Sequence, residues 1–405
     1  MFEIPSFIIY VIFFLDFFIA FFFLTLFIKA KMAERQNSSY RPEITFVLPA
    51  YNIENVLGKA VDSIKKVRYP QNKIKIIIVN DGSKDKTLEV ARGLAKKYEN
   101  ILVLDKKNQG VKAYPVNFGI RHANTELVAV LDGDTLLKED MLEKAIPLFD
   151  KNTMAVTARM KPLNNNNIIE KLQDVEYTFA GFYRTIMGHI NSLSVAPAFT
   201  IFRREFFLKH GYFDVDNLTE DLEMGMRIQS KHYNIGYVAS SYAITDVPET
   251  FRKLMKQRLR WAYGTLFNYN KYKDLFFNPN YGDLGIFILP AGFLSIMIMS
   301  LVFLAAFYTL FDWAWKKINL LFLGWQPSMH IDFNQILIYL TEPRIVLFVL
   351  AILVGLLIFF LIRMELNEKI KLRYYFLYLT VYLWMLGFFY IISFFNFILK
   401  RKVKW

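Results

Sequence analysis

Phe7 to Ile28 is an almost unbroken apolar run of 22 residues. As a helix rising about 1.5 Å per residue it measures about 33 Å, the depth of a bilayer core of about 30 Å. A chain opening this way must divide itself between two solvents. A second greasy block begins near Leu284, where Leu284 to Leu310, Ile345 to Ile362 and Tyr374 to Leu399 each reach spanning length. Gly285, Pro290 and Gly292 lie inside the first of these. Trp313 to Leu340, broken by Lys316, Lys317, Pro327 and Asp332, reads as a loop, a re-entrant segment or a poor span, so three spans are expected after residue 284, or four. The first run lacks the basic start and small-residue cleavage site of a secretory leader and reads as a transmembrane helix. Lys29, Lys31 and Arg35 follow it and no Lys or Arg precedes it, which puts the segment after residue 30 in the cytoplasm. Asp16, in mid-span, is expected to face other helices or to stay protonated.

Composition agrees with this division. Net charge is +13 over 405 residues, 49 basic against 36 acidic, in a chain that is 54% hydrophobic. That excludes a disordered polyelectrolyte and an ordinary soluble enzyme. The excess positive charge belongs to membrane edges and to phosphate binding, and no nucleic-acid partner is expected. With no cysteine and only five histidines, at 122, 189, 210, 232 and 330, disulfides, thiolate metal sites and His-rich metal sites drop out.

Between the greasy blocks the pattern is α/β. Ile44 to Leu48, Lys75 to Val79, Ile101 to Leu104 and Leu127 to Leu131 are short aliphatic runs separated by helical stretches such as Val56 to Lys66 and Thr87 to Lys97. This alternation predicts parallel strands with crossover helices, and ligands of such sheets bind at the carboxyl ends of the strands. The expected organisation is a transmembrane helix over 1–30, a cytoplasmic α/β domain over 40–250, an amphipathic interfacial helix over 251–275, and a transmembrane region over 284–399.

Four strand ends and helix starts carry chemistry. Asp132 and Asp134 flank Gly133 after a buried strand, a donor pair suited to Mg²⁺ or Mn²⁺ held jointly with substrate phosphates. A second Asp-x-Asp, Asp214 and Asp216, has the same spacing and reads equally as a turn. Asn80, Asp81, Gly82 and Ser83 end another strand; they cap the next helix or let Asp81 bond a nucleotide base. Tyr51, Asn52 and Glu54 end a third, an aromatic and polar groups placed to hold a planar base. Thr219, Glu220 and Asp221 open a helical run to Gln229, in which Thr219 can cap and the adjacent acids offer a general base. From Phe251 to Tyr269, helical spacing puts Gln257, Arg260 and Trp261 on one face and Phe251, Met255, Leu259, Ala262, Leu266 and Tyr269 on the other. The apolar face is expected to lie in the membrane interface, with Lys253, Lys256 and Arg258 toward lipid headgroups.

Taken together these segments resemble glycosyltransferase family 2, in its membrane-integrated branch of hyaluronan, chitin, cellulose and poly-N-acetylglucosamine synthases. The resemblance runs over about residues 43 to 265. It rests on Pro49-Ala50-Tyr51-Asn52 with Glu54, Val79 to Ser83, Lys112 to Gly119 (KAYPVNFG), Leu131 to Thr135, Val195 to Glu205 (VAPAFTIFRRE), Thr219-Glu220-Asp221 and Gln257-x-x-Arg260-Trp261. It implies a GT-A fold and inverting transfer from a nucleotide sugar, uridine diphosphate linked, to a polysaccharide or lipid acceptor. Asp221, with Glu220 beside it, would be the catalytic base. Asp134 and Asp132 would hold Mn²⁺ or Mg²⁺ and the diphosphate; Lys112 and Arg260 would neutralise the leaving group; Tyr51, Glu54 and Asp81 would bind the base; Gln257 and Trp261 would meet the acceptor. Pro197 stands where a Gly is usual, and no Phe-x-Val-Thr-x-Lys gating loop follows Trp261, which argues against a cellulose synthase. The single amino-terminal span also resembles ceramide glucosyltransferase, which adds one sugar to a lipid.

Overall fold

The computed structural model describes residues 39–323, 343–365, 370–399 and 401, together with Phe14, Phe18, Phe21 and Thr25, which are helical. The rest of the expected first span, Asp16 included, lies outside the described residues.

Strand β1 (Ile44–Ala50) is buried at six of its seven positions, and β2 (Ile74–Asp81) at seven of eight. Only a strand covered by helices on both faces reads as such a continuous apolar run. Helix α1 (Leu57–Lys65) turns Leu57, Ala60, Val61 and Ile64 inward, at the i, i+3, i+4, i+7 spacing of one helical face. Helix α2 (Thr87–Lys97) leads to β3 (Ile101–Lys106), and α3 (Ala113–His122) to β4 (Leu127–Leu131). These four strands pair in parallel, as expected.

The second half departs from the all-parallel expectation. After β5 (Leu136–Leu137), α4 (Met141–Ala145) and β6 (Thr153–Pro162), the long helix α5 (Ile168–His189) carries the chain back to β7 (Phe199–Arg203). There β7 inserts antiparallel between β4 and β6. Helices α6 (Arg204–His210) and α7 (Glu220–Ser230) precede β8 (Asn234–Thr245), which runs parallel to β6 and antiparallel to β5. Among the described residues the eight strands form one mixed sheet in the order β3-β2-β1-β4-β7-β6-β8-β5. A strand's direction leaves no mark on its hydropathy: β7 (FTIFR), antiparallel to both neighbours, is buried at four of its five positions, much as the parallel strands β1 and β2 are.

Helix α8 (Phe251–Lys271) starts with Thr250, whose hydroxyl accepts from the Lys253 amide. A π-helical segment, Leu284–Ile288, runs into α9 (Leu289–Phe322). Helix α9 continues through Trp313, Lys316 and Lys317, where a break was expected; Lys316 pairs with Asp312 one turn away at 2.7 Å and no Pro or Gly intervenes. Residues 324–342 lie outside the described set. Helix α10 (Pro343–Glu365) follows, then α11 (Leu372–Leu377), a second π-helical segment (Tyr378–Tyr382) and α12 (Leu383–Ile398). Among the described residues two helical runs, Leu284–Phe322 and Leu372–Ile398, are long and apolar enough to cross a membrane, and Ile352–Arg363 is a shorter apolar stretch. The described residues pack as two units, divided after residue 296 and again after residue 370, with the sheet, α8 and the run from residue 371 in one and most of α9 with α10 in the other.

At the far edge of the sheet, Asp140 ties α4 to β8. It accepts from Ser241 Oγ at 2.6 Å and pairs with Lys144 at 2.7 Å. Burial alone would raise its pKa, but these bonds win and hold the carboxyl down at about 2. Its stabilisation is therefore complete above about pH 4 and is lost as pH falls through about 2. Asp140→Asn should cost about 1.5 to 3 kcal/mol at pH 7. In thermal unfolding of detergent-solubilised protein the gap to wild type should close between pH 4 and pH 2; a gap that persists at pH 2 would remove the ion pair as its cause.

Candidate active site

The carboxyl ends of β1, β2 and β4 meet at one edge because all three strands run the same way. The loop after β1 is zipped to the loop after β2. The Asn52 amide donates to Ser83 Oγ (3.1 Å), the Ile53 amide to Thr87 Oγ1 (2.8 Å) and the Glu54 amide to Asp85 (3.2 Å). In return Asn52 Oδ1 accepts from the Lys84 amide and Glu54 from the Lys86 amide. Asp81, buried at the end of β2, pairs with Lys106 at 2.8 Å. After β4 the Asp132-Gly133-Asp134 turn passes so close to β1 that a Cβ on Gly133 would sit 2.4 Å from Ile53 Cδ1 and 2.8 Å from the Pro49 carbonyl oxygen. Lys112, at the start of α3, forms an ion pair with Asp132. These elements enclose a cavity of about 420 Å³ lined by Tyr51, Asp81, Lys112, Asp132 and Asp134, among others.

A second cavity, of about 460 Å³, shares Lys112, Asp132 and Asp134 with the first. Its other walls bring Glu220 and Asp221 from the start of α7 together with Gln257, Arg260 and Trp261 from α8. A buried knot holds the two helices in place. Asn268 of α8 donates to Thr219 Oγ1 at 2.9 Å, Asn217 donates to Asn268 Oδ1 at 2.8 Å, and the Thr219 amide donates to Asn217 Oδ1 at 3.0 Å. Gly264 makes this approach possible, since a Cβ there would lie 2.3 Å from Thr219 Oγ1. In the same first turn of α7, the buried Glu223 takes Arg227, Lys271 (2.9 Å) and the Tyr272 hydroxyl (2.6 Å).

The cavity is electrostatically loaded. Burial, reinforced by the adjacent Asp132, pushes the Asp134 carboxyl up to about 6. Burial also lifts Glu220 to about 7, with Asp221 adding to the shift and Lys112 opposing it. Desolvation works against the Lys112 charge, yet the carboxylates of Asp132, Glu220 and Asp221 hold its pKa above the ordinary lysine value. Among the described residues no three acidic or His side chains converge as a complete metal cage. Two hard carboxylate donors at a strand end, one of them pushed toward protonation by burial and then by its neighbour, fit a divalent cation that completes its shell with phosphate oxygens and water.

Residues 42–264 match the model of the family described as glycosyltransferase like family 2. This chain belongs to that family. Poly-beta-1,6-N-acetyl-D-glucosamine synthases of Staphylococcus epidermidis and Staphylococcus aureus are 34% identical to it over 227 residues, 55% of this chain and 54% of theirs. The chain thus spans about half the length of the curated relatives it matches. The solved mannosyltransferase PcManGT from Pyrobaculum calidifontis, in complex with GDP-Man and Mn²⁺, superposes with a TM-score of 0.59 at 18% identity, over 97% of this chain and 100% of that one. The fold of the family 2 domain is accordingly GT-A-like.

Several sequence expectations change within the family 2 domain. Thr219 does not cap α7 through its side chain, which is spent on the knot with Asn217 and Asn268. The second Asp-x-Asp is a turn: the Asp216 amide donates to Asp214, which pairs with Lys271 at 2.7 Å. Glu54 braces the loop after β2 and lines neither cavity. The apolar face of α8 packs along α12, with Ser393 Oγ donating to the Leu259 carbonyl (3.3 Å) and Tyr263 meeting Phe397, so a helix takes the place expected for lipid. Lys253 and Lys256 are exposed as expected, but Arg258 is 3% exposed and pairs with Glu176.

Sequence reasoning missed Tyr177 and Arg184 of α5 and Tyr390 of α12, all of which line the second cavity. Helix α5 carries no motif. The polar end of Tyr390 is masked by an apolar run that reads as a span. Gly264→Val, which forces α8 away from Thr219, should lower turnover at least about tenfold while nucleotide binding, measured by calorimetry, stays within about twofold, because the first cavity is built on other elements. Parallel loss of both would show that the two cavities do not depend on separate elements.

Proposed function

We propose that this chain transfers a sugar, with inversion, from a uridine diphosphate sugar to the end of a growing β-linked polysaccharide at the cytoplasmic face of a membrane. The observation that carries this reading is the pair of cavities joined through Lys112, Asp132 and Asp134, with Asp221 and the Gln257, Arg260 and Trp261 face on the far side. The first cavity suits a nucleotide, with Tyr51 available to the base and Asp81 to its polar edge. The second suits a sugar acceptor.

In this reading Asp221 takes the proton of the acceptor hydroxyl as its oxygen bonds to the anomeric carbon. The bond from that carbon to the diphosphate oxygen breaks on the opposite side, so an α-linked donor gives a β-linked product. The electron pair leaves with the diphosphate, where the Lys112 ammonium and the Arg260 guanidinium offset the growing charge. Asp134 and Asp132 would hold Mn²⁺ or Mg²⁺, which supplies further neutralisation of the diphosphate when bound. Glu220, buried and next to Asp221 in the same cavity wall, keeps a second acid near the base. Trp261 offers a flat surface to the acceptor sugar, and Gln257 an amide.

The relatives named poly-beta-1,6-N-acetyl-D-glucosamine synthase make N-acetylglucosamine the first sugar to test. The runs Leu284–Phe322 and Leu372–Ile398 support a multi-pass protein of the cell membrane whose spans carry the product outward. Protein purified in detergent and given uridine diphosphate N-acetylglucosamine with Mn²⁺ should yield polymer, and chelation should stop it. If the product is a lipid bearing one sugar, the acceptor is a membrane lipid and the polymer reading fails. Asp221→Asn should reduce transfer by about 10²-fold or more while the nucleotide affinity stays within about twofold. Equal loss of both would make Asp221 a donor ligand in place of a base.

A further inference from the structure

Arg258 stands inside the Gln257-x-x-Arg260-Trp261 segment but faces away from both cavities and is buried, at 3% exposure. Its guanidinium has five N–H donors in a fixed plane, and what they meet comes from three parts of the chain. One Nη donates to Gln257 Oε1. The other pairs with Glu176 of α5 and donates to the Tyr382 hydroxyl at 3.1 Å, which Nε also reaches at 3.3 Å. Tyr382, 1% exposed in the π-helical segment before α12, donates its own proton to Glu176 at 2.7 Å. The flat face of the guanidinium lies over the Trp261 ring, 4.1 Å from its centroid.

Two contacts of this cluster bear on residues that line the second cavity, Gln257 and Trp261, and the others anchor the guanidinium that makes them. Gln257 has its carbonyl oxygen occupied, so its amide N–H groups are the part left for a ligand. Trp261 has one face covered by a cation, which fixes the ring plane and leaves the other face for a sugar. A charge this deeply buried is retained only where its partners are complete, and Glu176 and Tyr382 complete it from outside α8. The same terminal run that supplies Tyr382 also supplies Tyr390 to the second cavity.

We infer that Arg258, locked by Glu176 and Tyr382, is a positioning residue for the acceptor, setting Trp261 and Gln257 so that the terminal apolar helix forms part of the acceptor site. The inference rests on the second cavity being the place where a sugar acceptor binds. It makes acceptor affinity depend on a tyrosine hydroxyl in a helix that reads, by sequence, as a plain membrane span.

The test compares Tyr382→Phe, Glu176→Gln and Arg258→Lys in full-length protein in detergent. Tyr382→Phe removes one hydroxyl and should leave the fold intact. Arg258→Lys keeps the charge and loses the planar fork. Each should raise the KM for an N-acetylglucosamine oligosaccharide acceptor about fivefold or more, with Arg258→Lys the largest, while kcat and nucleotide affinity stay within about twofold. Unchanged acceptor KM in Tyr382→Phe and Arg258→Lys would overturn the inference. So would a matched fall in kcat, nucleotide affinity and melting temperature, which a purely structural role predicts. Oligosaccharide binding followed by tryptophan fluorescence, with Trp261→Phe as the blank, reads the same effect without turnover. If wild type binds oligosaccharide and the variants bind it weakly while no transfer occurs, the proposed reaction fails and the positioning role stands; if the variants bind as wild type does, the positioning role fails whatever the reaction.

Discussion

Helix Phe251–Lys271 has to be held on two sides at once, and the active site depends on that double docking. On one side a hydrogen-bonded knot of Asn217, Thr219 and Asn268, with no room for a side chain at Gly264, fastens it to the helix that carries Glu220 and Asp221. On the other it runs along Leu383–Ile398, with Arg258 sunk between Glu176 and Tyr382. Buried polar groups are costly unless fully partnered, so both fastenings specify one arrangement and penalise its neighbours. The groups that the helices Glu220–Ser230 and Phe251–Lys271 give to the second cavity are held in place by these two contacts.

The electrostatics of that cavity follow from the same crowding. Asp132, Asp134, Glu220 and Asp221 are brought to one enclosed space facing Lys112 and Arg260. Enclosure weakens the stabilisation of each carboxylate by water, and Asp134 and Glu220 are driven toward their neutral forms at about 6 and 7. A site of this kind is unsettled in isolation. Positive charge brought into such a space relieves the crowding of its carboxylates.

Much of this was legible in the linear chain. The four aliphatic runs from Ile44 to Leu131 announced the parallel half of the sheet; in three of them burial on both faces imposes apolar side chains at nearly every position, while Ile101–Lys106, at the sheet edge, is mostly unburied. The motif residues were legible because the acids sit at strand ends or a helix start, and because Gln257, Arg260 and Trp261 stand at i, i+3 and i+4 on one face of a helix that is apolar on the other. The antiparallel insertion of Phe199–Arg203 was not legible, since hydropathy is the same whichever way a strand runs. Nor was the fate of the apolar face of Phe251–Lys271: a periodic apolar face states that something apolar will cover it and is silent on whether that is lipid or another helix.

The sequence by itself determined which segments are apolar enough to leave water, which form the sheet, and which residue types stand ready for phosphate, metal and proton chemistry, because these follow from local composition and spacing. Only the tertiary structure decided that Arg258 is a buried joint instead of a headgroup contact, that Thr219 fastens a helix instead of capping it, and that Tyr177 and Tyr390 reach the second cavity. Arg258 meets Glu176 and Tyr382, 82 and 124 residues away in the chain, and Thr219 meets Asn268, 49 residues away. No local pattern records them, since the contact exists only after the chain has closed on itself.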